Sequence, residues 1–304
     1  MAAAQDFPLR PVRLVVGFAP GGGADSAARS VAQKLNEAWG QSVITDNRAG
    51  AGGNVAAEIV SRAAPDGYTL LISSPGPIVT NPFLYARLPY NPQKDLAPVT
   101  LIASSVNVML VNPAAPVSNV RELIAWTRSK PGGVNYASSG IGSTPHLAGE
   151  LFKTAAHVDM VHVAYKSAAP AVIDLIGGRV DLLVASLPTS LAQIKAQRLK
   201  AIAVASLKRS VALPEVPTAD ESGVPGYEVV TWWGLLAPAG VPGDIIAKIS
   251  KTVVLNLQSP EMKESLARDG ADALGNSPAE FGAFIQKESA KWSNVIKTSG
   301  IKIE

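Results

Sequence analysis

Arg13-Leu14-Val15-Val16-Gly17-Phe18-Ala19-Pro20-Gly21-Gly22-Gly23-Ala24-Asp25 holds three structural signals in succession. The run through Val16 is short, apolar and β-branched, as a buried strand requires. Ala19 to Gly23 is a glycine loop. From about residue 25 to 39, Ala28, Val31, Ala32 and Leu35 then recur at helical spacing. Strand, glycine loop and helix form the repeating unit of an α/β fold with a mostly parallel sheet.

The unit recurs after this stretch. Residues 41–46 and 68–72 read as strands, and the glycines of Ala49–Gly53 open a helix over 54–63 that Pro65-Asp66-Gly67 ends. In the middle of the chain, strands are expected at 107–111, 134–137, 158–163, 180–184 and 199–205. Between them Ser118 is expected to cap a helix over 120–129. Thr144 is expected to cap another, with Pro145 at its first position. A third helix, 168–176, stops at Gly177-Gly178. The last part is helical, at 242–258, 259–269 and 278–299, the final helix opened by the capping box Ser277-Pro278-Ala279-Glu280.

The glycine/serine loop after a strand appears again at Ser138-Ser139-Gly140-Ile141-Gly142-Ser143. Two long apolar segments, 99–111 and 227–236, flank this second unit and read as crossings between lobes. The expected organisation is a discontinuous first lobe, residues 7–103 plus 228–304, around an inserted second lobe, residues 104–227.

Composition bounds the chemistry. The chain has 304 residues, a size for two domains or one large one. It contains no cysteine, which excludes disulfides, thiol nucleophiles and thiolate metal sites. Three histidines make a histidine-built metal centre a poor expectation, and neither metal nor cofactor is expected. Net charge is +3 without a Lys/Arg cluster, so no nucleic-acid footprint is present. Apolar runs fall far short of a bilayer span. Residues 1–8 lack the apolar core of a secretion signal. Their small side chains read as what remains beside a signal-peptidase site, so a longer precursor is expected.

Both glycine loops precede a helix N-terminus, where unpaired N–H groups and the helix dipole suit an anion. The alternative reading is that the glycines serve only tight strand-to-helix turns. Neither a dinucleotide fingerprint nor a P-loop occurs, and no lysine accompanies the loops, so a carboxylate suits them better than a polyphosphate. No nucleophile elbow is present. His146 either points at a ligand or packs on its helix, while His157 and His162 read as structural. Asp25 reads as a helix-start charge. Lys166 is a counter-charge or a solvated lysine, and one of Trp232 and Trp233 walls a cleft or both pack in the core. Hydroxyls and backbone donors without a nucleophile–base pair point to binding, not turnover.

The sequence resembles the Bug family of extracytoplasmic receptors of tripartite tricarboxylate transporters. The resemblance rests on Val15–Gly22 with Asp25, Asn47–Gly53, Pro65–Leu70, Tyr136–Ser143, His162–Lys166, Gly178–Asp181, Leu213–Thr218 and Trp233–Pro238. It implies a periplasmic, two-lobed binding protein of type II, its lobes joined by a two-strand hinge, expected to be monomeric. The implied ligand is a small organic acid delivered to membrane permease subunits. Phe18, Ala19, Pro20, Gly21, Gly22, Gly23, Ser73 and Ser74 would hold it from the first lobe. Ser138, Gly142, Ser143, Thr144, Tyr165, Lys166, Ser167 and Ser186 would hold it from the second. Ser74-Pro75-Gly76-Pro77 stands where many relatives carry a histidine. Ala185 and Ser186 stand where an acidic residue and an asparagine are common, which removes a partner for a ligand ammonium. A di- or aromatic carboxylic acid without an amino group is therefore expected. A sensor signalling through a membrane histidine kinase, and an enzyme acting on a carboxylate, stay open as alternatives.

Overall fold

A computed structural model of the chain describes residues 7–299. The leader-remnant reading of residues 1–6 lies outside the described residues. The strands are β1 (Val12–Val16), β2 (Val43–Asn47), β3 (Thr69–Ser73), β4 (Leu96–Val111), β5 (Val134–Ser138), β6 (Met160–Ala164), β7 (Leu182–Ser186), β8 (Lys200–Val204), β9 (Val230–Pro238) and β10 (Asp272–Ala273). The helices are α1 (Gly23–Trp39), α2 (Asn54–Ser61), α3 (Asn81–Leu84), α4 (Pro92–Asp95), α5 (Val120–Ser129), α6 (Thr144–Ala156), α7 (Ala168–Ile176), α8 (Leu187–Lys195), α9 (Gly243–Leu257), α10 (Pro260–Arg268) and α11 (Pro278–Ser299).

The strands run in the order β2-β1-β3-β9-β4-β7-β5-β6, with β8 and β10 also paired to β4. Parallel pairs sit at both ends, β2-β1-β3 and β7-β5-β6. Strand β1 is buried on both faces, with Leu14 and Val16 in one core cluster and Val15 in another, so its sequence shows no alternation. Each such side chain contributes roughly 1.5–3 kcal/mol by leaving water.

The sixteen-residue β4 belongs to both sheets. Its Leu96–Val106 stretch pairs antiparallel with β9, and Asn107–Val111 pairs with β7 on one side. Over Val108–Val111 it also pairs with β8 on the other side. At the change-over sits Asn107, fully buried. Its Nδ2 donates to the Val229 carbonyl at 2.7 Å, its Oδ1 accepts from Thr231 Oγ1 at 3.0 Å, and its own carbonyl accepts from Ala205 N. One amide side chain thus staples the segments that pass between the sheets.

Several local expectations shift. Asn119, not Ser118, caps α5: its Oδ1 accepts from Glu122 N at 2.9 Å, while Ser118 N donates to the Glu122 carboxylate. The cap lies one residue later than expected, and the Glu122 carboxylate reaches back past it to the N–H before. Ser143, not Thr144, caps α6, which puts Pro145 at the second helical position. The strand expected at 180–184 runs instead over Leu182–Ser186, with Asp181 just before it bonded by its N–H to the Asn135 carbonyl and by its carboxylate to Asn135 N and Lys130. Helix α8 was not foreseen at all, although Pro188 just after Ser186 is a helix-start signal. Helices α7 and α11 fall where expected, and Ser277 and Glu280 form the reciprocal bonds of a capping box. Among the described residues no helix is long and apolar enough to cross a membrane.

Candidate functional site

Four helices begin around one cavity between the sheets, which encloses about 450 Å³ including its mouth. Gly22, Gly23 and Ala24 come from the start of α1, and Thr144 and Pro145 from the start of α6. Ser167 and Ala168 open α7, and Ser186 and Thr189 open α8. Phe18, Ser74, Ser139, Thr231 and Trp233 complete the lining, and no charged side chain is among these residues. The N-caps Gly22, Ser167 and Ser186 make no side-chain capping bond, so the first N–H groups of three helices are left without that partner.

Burial sharpens the picture. Ser74, Thr144 and Ser167 are 4%, 2% and 1% exposed, and their hydroxyl oxygens have no hydrogen-bond partner among the described residues. A buried, unpaired hydroxyl costs roughly 1–3 kcal/mol. Three around one cavity are a set of donors lacking acceptors. Converging helix dipoles add partial positive charge, up to half an elementary charge at each N-terminus. The chemistry this favours is an anion with several acceptor oxygens, held without formal counter-charge.

Of the residues expected from sequence, Phe18, Gly22, Gly23, Ser74, Thr144, Ser167 and Ser186 line the cavity, and the other nine do not. Ala19 and Lys166 lie outside the lining, and Pro20 and Gly21 are exposed. The remaining five act from behind it. Ser73 Oγ donates to the Ser74 carbonyl, and Ser143 Oγ donates to the Gly140 carbonyl at 2.6 Å. Ser138 Oγ lies 2.7 Å from His162 Nε2. The Tyr165 hydroxyl donates to Asp174 at 2.7 Å. Gly142 donates its N–H to His146 Nδ1 at 3.1 Å, and its φ of +76° with Asn81 Oδ1 where a Cβ would stand leaves no room for a side chain.

Asp25 anchors the first loop. Its carboxylate accepts from Gly21 N at 3.1 Å, Arg29 Nε at 2.9 Å and Asn47 Nδ2 at 3.0 Å, and Asn47 also donates to the Phe18 carbonyl. Burial works against its charge, but the bonds from Arg29, Gly21 and Asn47 outweigh it and hold the carboxyl below its ordinary range. His146 supports the second loop: it is 5% exposed and stacks on His162 with ring centres 4.1 Å apart. Burial pushes His146 down to about 4 and His162 to about 3, the His146 charge adding to the latter. Both are neutral packing groups at neutral pH. Of the tandem tryptophans, Trp233 walls the cavity and Trp232 packs edge-on against Phe281 and Phe284. A Cβ on Gly23 would come 2.5 Å from the Trp233 ring, so glycine is needed there for close approach.

Sequence reasoning missed Ala24, Ser139, Pro145, Ala168, Thr189 and Thr231. Four of these occupy helix starts next to residues that were foreseen. Thr231 follows only from the register of β9.

Residues 27–301 match the family described as tripartite tricarboxylate transporter family receptor. The chain belongs to that family. BugT of Bordetella pertussis is 35% identical, over 99% of this chain and 93% of its own length. Among solved structures, an R. palustris protein with adipate superposes with a TM-score of 0.95 at 40% identity, covering 98% of this chain and 99% of its own. MatC from Rhodopseudomonas palustris with bound malate gives 0.91 at 32%, covering 95% and 100%. The receptor family has the two-lobed, hinged fold of periplasmic solute-binding proteins, and its members bind solutes and are not enzymes.

Proposed function

We propose that the inter-lobe cavity captures a small dicarboxylate without a free amino group and delivers it to the membrane subunits of a tripartite transporter in the periplasm. The observation that carries this reading is the convergence of four helix N-termini and three unpaired hydroxyls on a cavity with no charged side chain. Peptide dipoles and hydroxyls stabilise carboxylate oxygens, whereas an α-ammonium would meet no carboxylate. Two relatives solved with adipate and with malate support a dicarboxylate.

Lobe boundaries at 7–103 plus 228–304, and 104–227, fit this role. Gly22, Gly23 and Ser74 then approach the ligand from one lobe, and Thr144, Ser167 and Ser186 from the other. A ligand contacting both lobes favours the closed form, and closure is what a membrane partner would recognise.

Calorimetry against adipate, malate, benzoate, aspartate and glutamate tests the ligand class. Adipate or malate is expected to bind tightest. An amino acid bound tighter than every acid lacking an amino group would overturn the reading. Delivery is tested by uptake of the bound acid into vesicles carrying the large and small membrane subunits, with and without the receptor.

A further inference from the structure

The loop after β5, residues 140–143, reaches across to segments at the other end of the strand order. It meets Gly52, which follows β2, and Gly76, Asn81 and Tyr85, which follow β3. A Cβ on Gly52 would collide with the Ile141 carbonyl oxygen, and one on Gly76 would come 2.8 Å from the Gly142 oxygen. Backbone thus lies against backbone across the lobe boundary proposed above. Gly52, Gly140 and Gly142 have positive φ values and need glycine for their own turns. Gly76 does not. It opens the helical turn Gly76–Thr80 without a positive φ, and what stands where its side chain would go is the Gly142 carbonyl of the other lobe. At the exposed edge of this contact the Tyr85 hydroxyl donates to the Ile141 carbonyl at 3.1 Å.

Taking the proposed capture of an acid between the lobes as given, we infer that Tyr85 is a positioning residue for it: its hydroxyl clasps the 140–143 loop to the first lobe and so sets how long the acid stays. The clasp is continuous with the cavity lining. Ser74 stands just before Gly76, and the lining residues Ser139 and Thr144 flank the loop on either side. Parting the two backbones therefore draws Ser74 away from Ser139 and Thr144. The clasp is also weak enough to open. Its backbones touch without interlocking side chains, and water competes for the Tyr85 bond, which then shifts an equilibrium by a few-fold to about tenfold. A clasp that forms after the acid has entered slows its exit and leaves its entry alone.

The test follows adipate, with malate in parallel, by stopped-flow tryptophan fluorescence. Lobe separation is read by small-angle X-ray scattering with and without the acid. Tyr85→Phe keeps the ring and removes the hydroxyl, and Gly76→Ala sets a methyl group against the Gly142 carbonyl. Each is expected to speed dissociation about fivefold. The association rate and the ligand-free melting temperature should stay unchanged, and the radius of gyration should rise. A fixed structural joint would instead lower that melting temperature and leave dissociation alone. That result, or dissociation rates equal to wild type in both variants, would overturn the inference. If the wild type takes up neither acid, scattering still decides. Equal radii in all three chains then overturn the clasp as well, whereas larger radii in the variants overturn only the carboxylate reading.

Discussion

Ser167 illustrates how little side-chain charge the inter-lobe cavity uses. Its hydroxyl is buried and unpaired, so Ser167→Ala removes a donor that the fold itself does not need. The expected outcome is an affinity for the preferred dicarboxylate about tenfold lower or more, since hydrogen bonds to charged groups contribute roughly 1.5–3 kcal/mol. The melting temperature of the ligand-free protein should be unchanged or higher. Thr144→Val, nearly isosteric, is expected to behave alike. Gly22 offers the complementary experiment: its φ of −99° suits any residue and a Cβ there meets nothing within 4 Å. Gly22→Ala should therefore fold normally and weaken binding by narrowing the cavity. Gly142→Val, by contrast, sets a side chain against Asn81 at a positive φ, and its effect would report on folding instead of on the ligand.

At the level of elements, caps and strand starts decide what is positioned where. Asn119→Ala should cost about 1 kcal/mol in denaturant unfolding, with Ser118→Ala close to neutral, because only the Asn119 side chain accepts from the helix. The same distinction shows what sequence can reveal. Helices α7 and α11 were legible because glycine pairs and capping boxes act locally and leave a local signature. The α1 and α6 starts at the cavity were legible for the same reason, as strand-to-helix loops rich in glycine or serine. Where β7 starts was not legible, because Asp181 before it is tied to Lys130 and Asn135, which lie far away along the chain. Thr231 and Trp233 belong to the site only through pairing of β9 with β4 and β3, which no local pattern encodes.

For the whole molecule, the stacked His146–His162 pair links proton uptake to stability. Both imidazoles have folded-state values, about 4 and about 3, below the ordinary 6.5. The unfolded chain therefore binds protons first as pH falls. Stability is fully present above about 6.5 and is lost progressively down to about 3. Chemical denaturation between pH 7.5 and 4 should show this decline, and a pH-independent midpoint would contradict it. Protonation also turns His146 Nδ1 from an acceptor into a donor, which breaks its bond from Gly142 and loosens the second loop. Added ligand is expected to raise the melting temperature with its concentration, by mass action on the folded form.

The staple at Asn107 and the helix starts around the cavity are built of amides and hydroxyls, and that choice has an operational consequence. Peptide groups neither gain nor lose protons over the range a cell surface meets. A trap made of them has no titration curve of its own. Between the histidine transition and neutrality and beyond, uptake of the proposed dicarboxylate would then follow the ionisation of the acid alone, so the receptor would register dianion concentration in surroundings whose acidity the cell does not control.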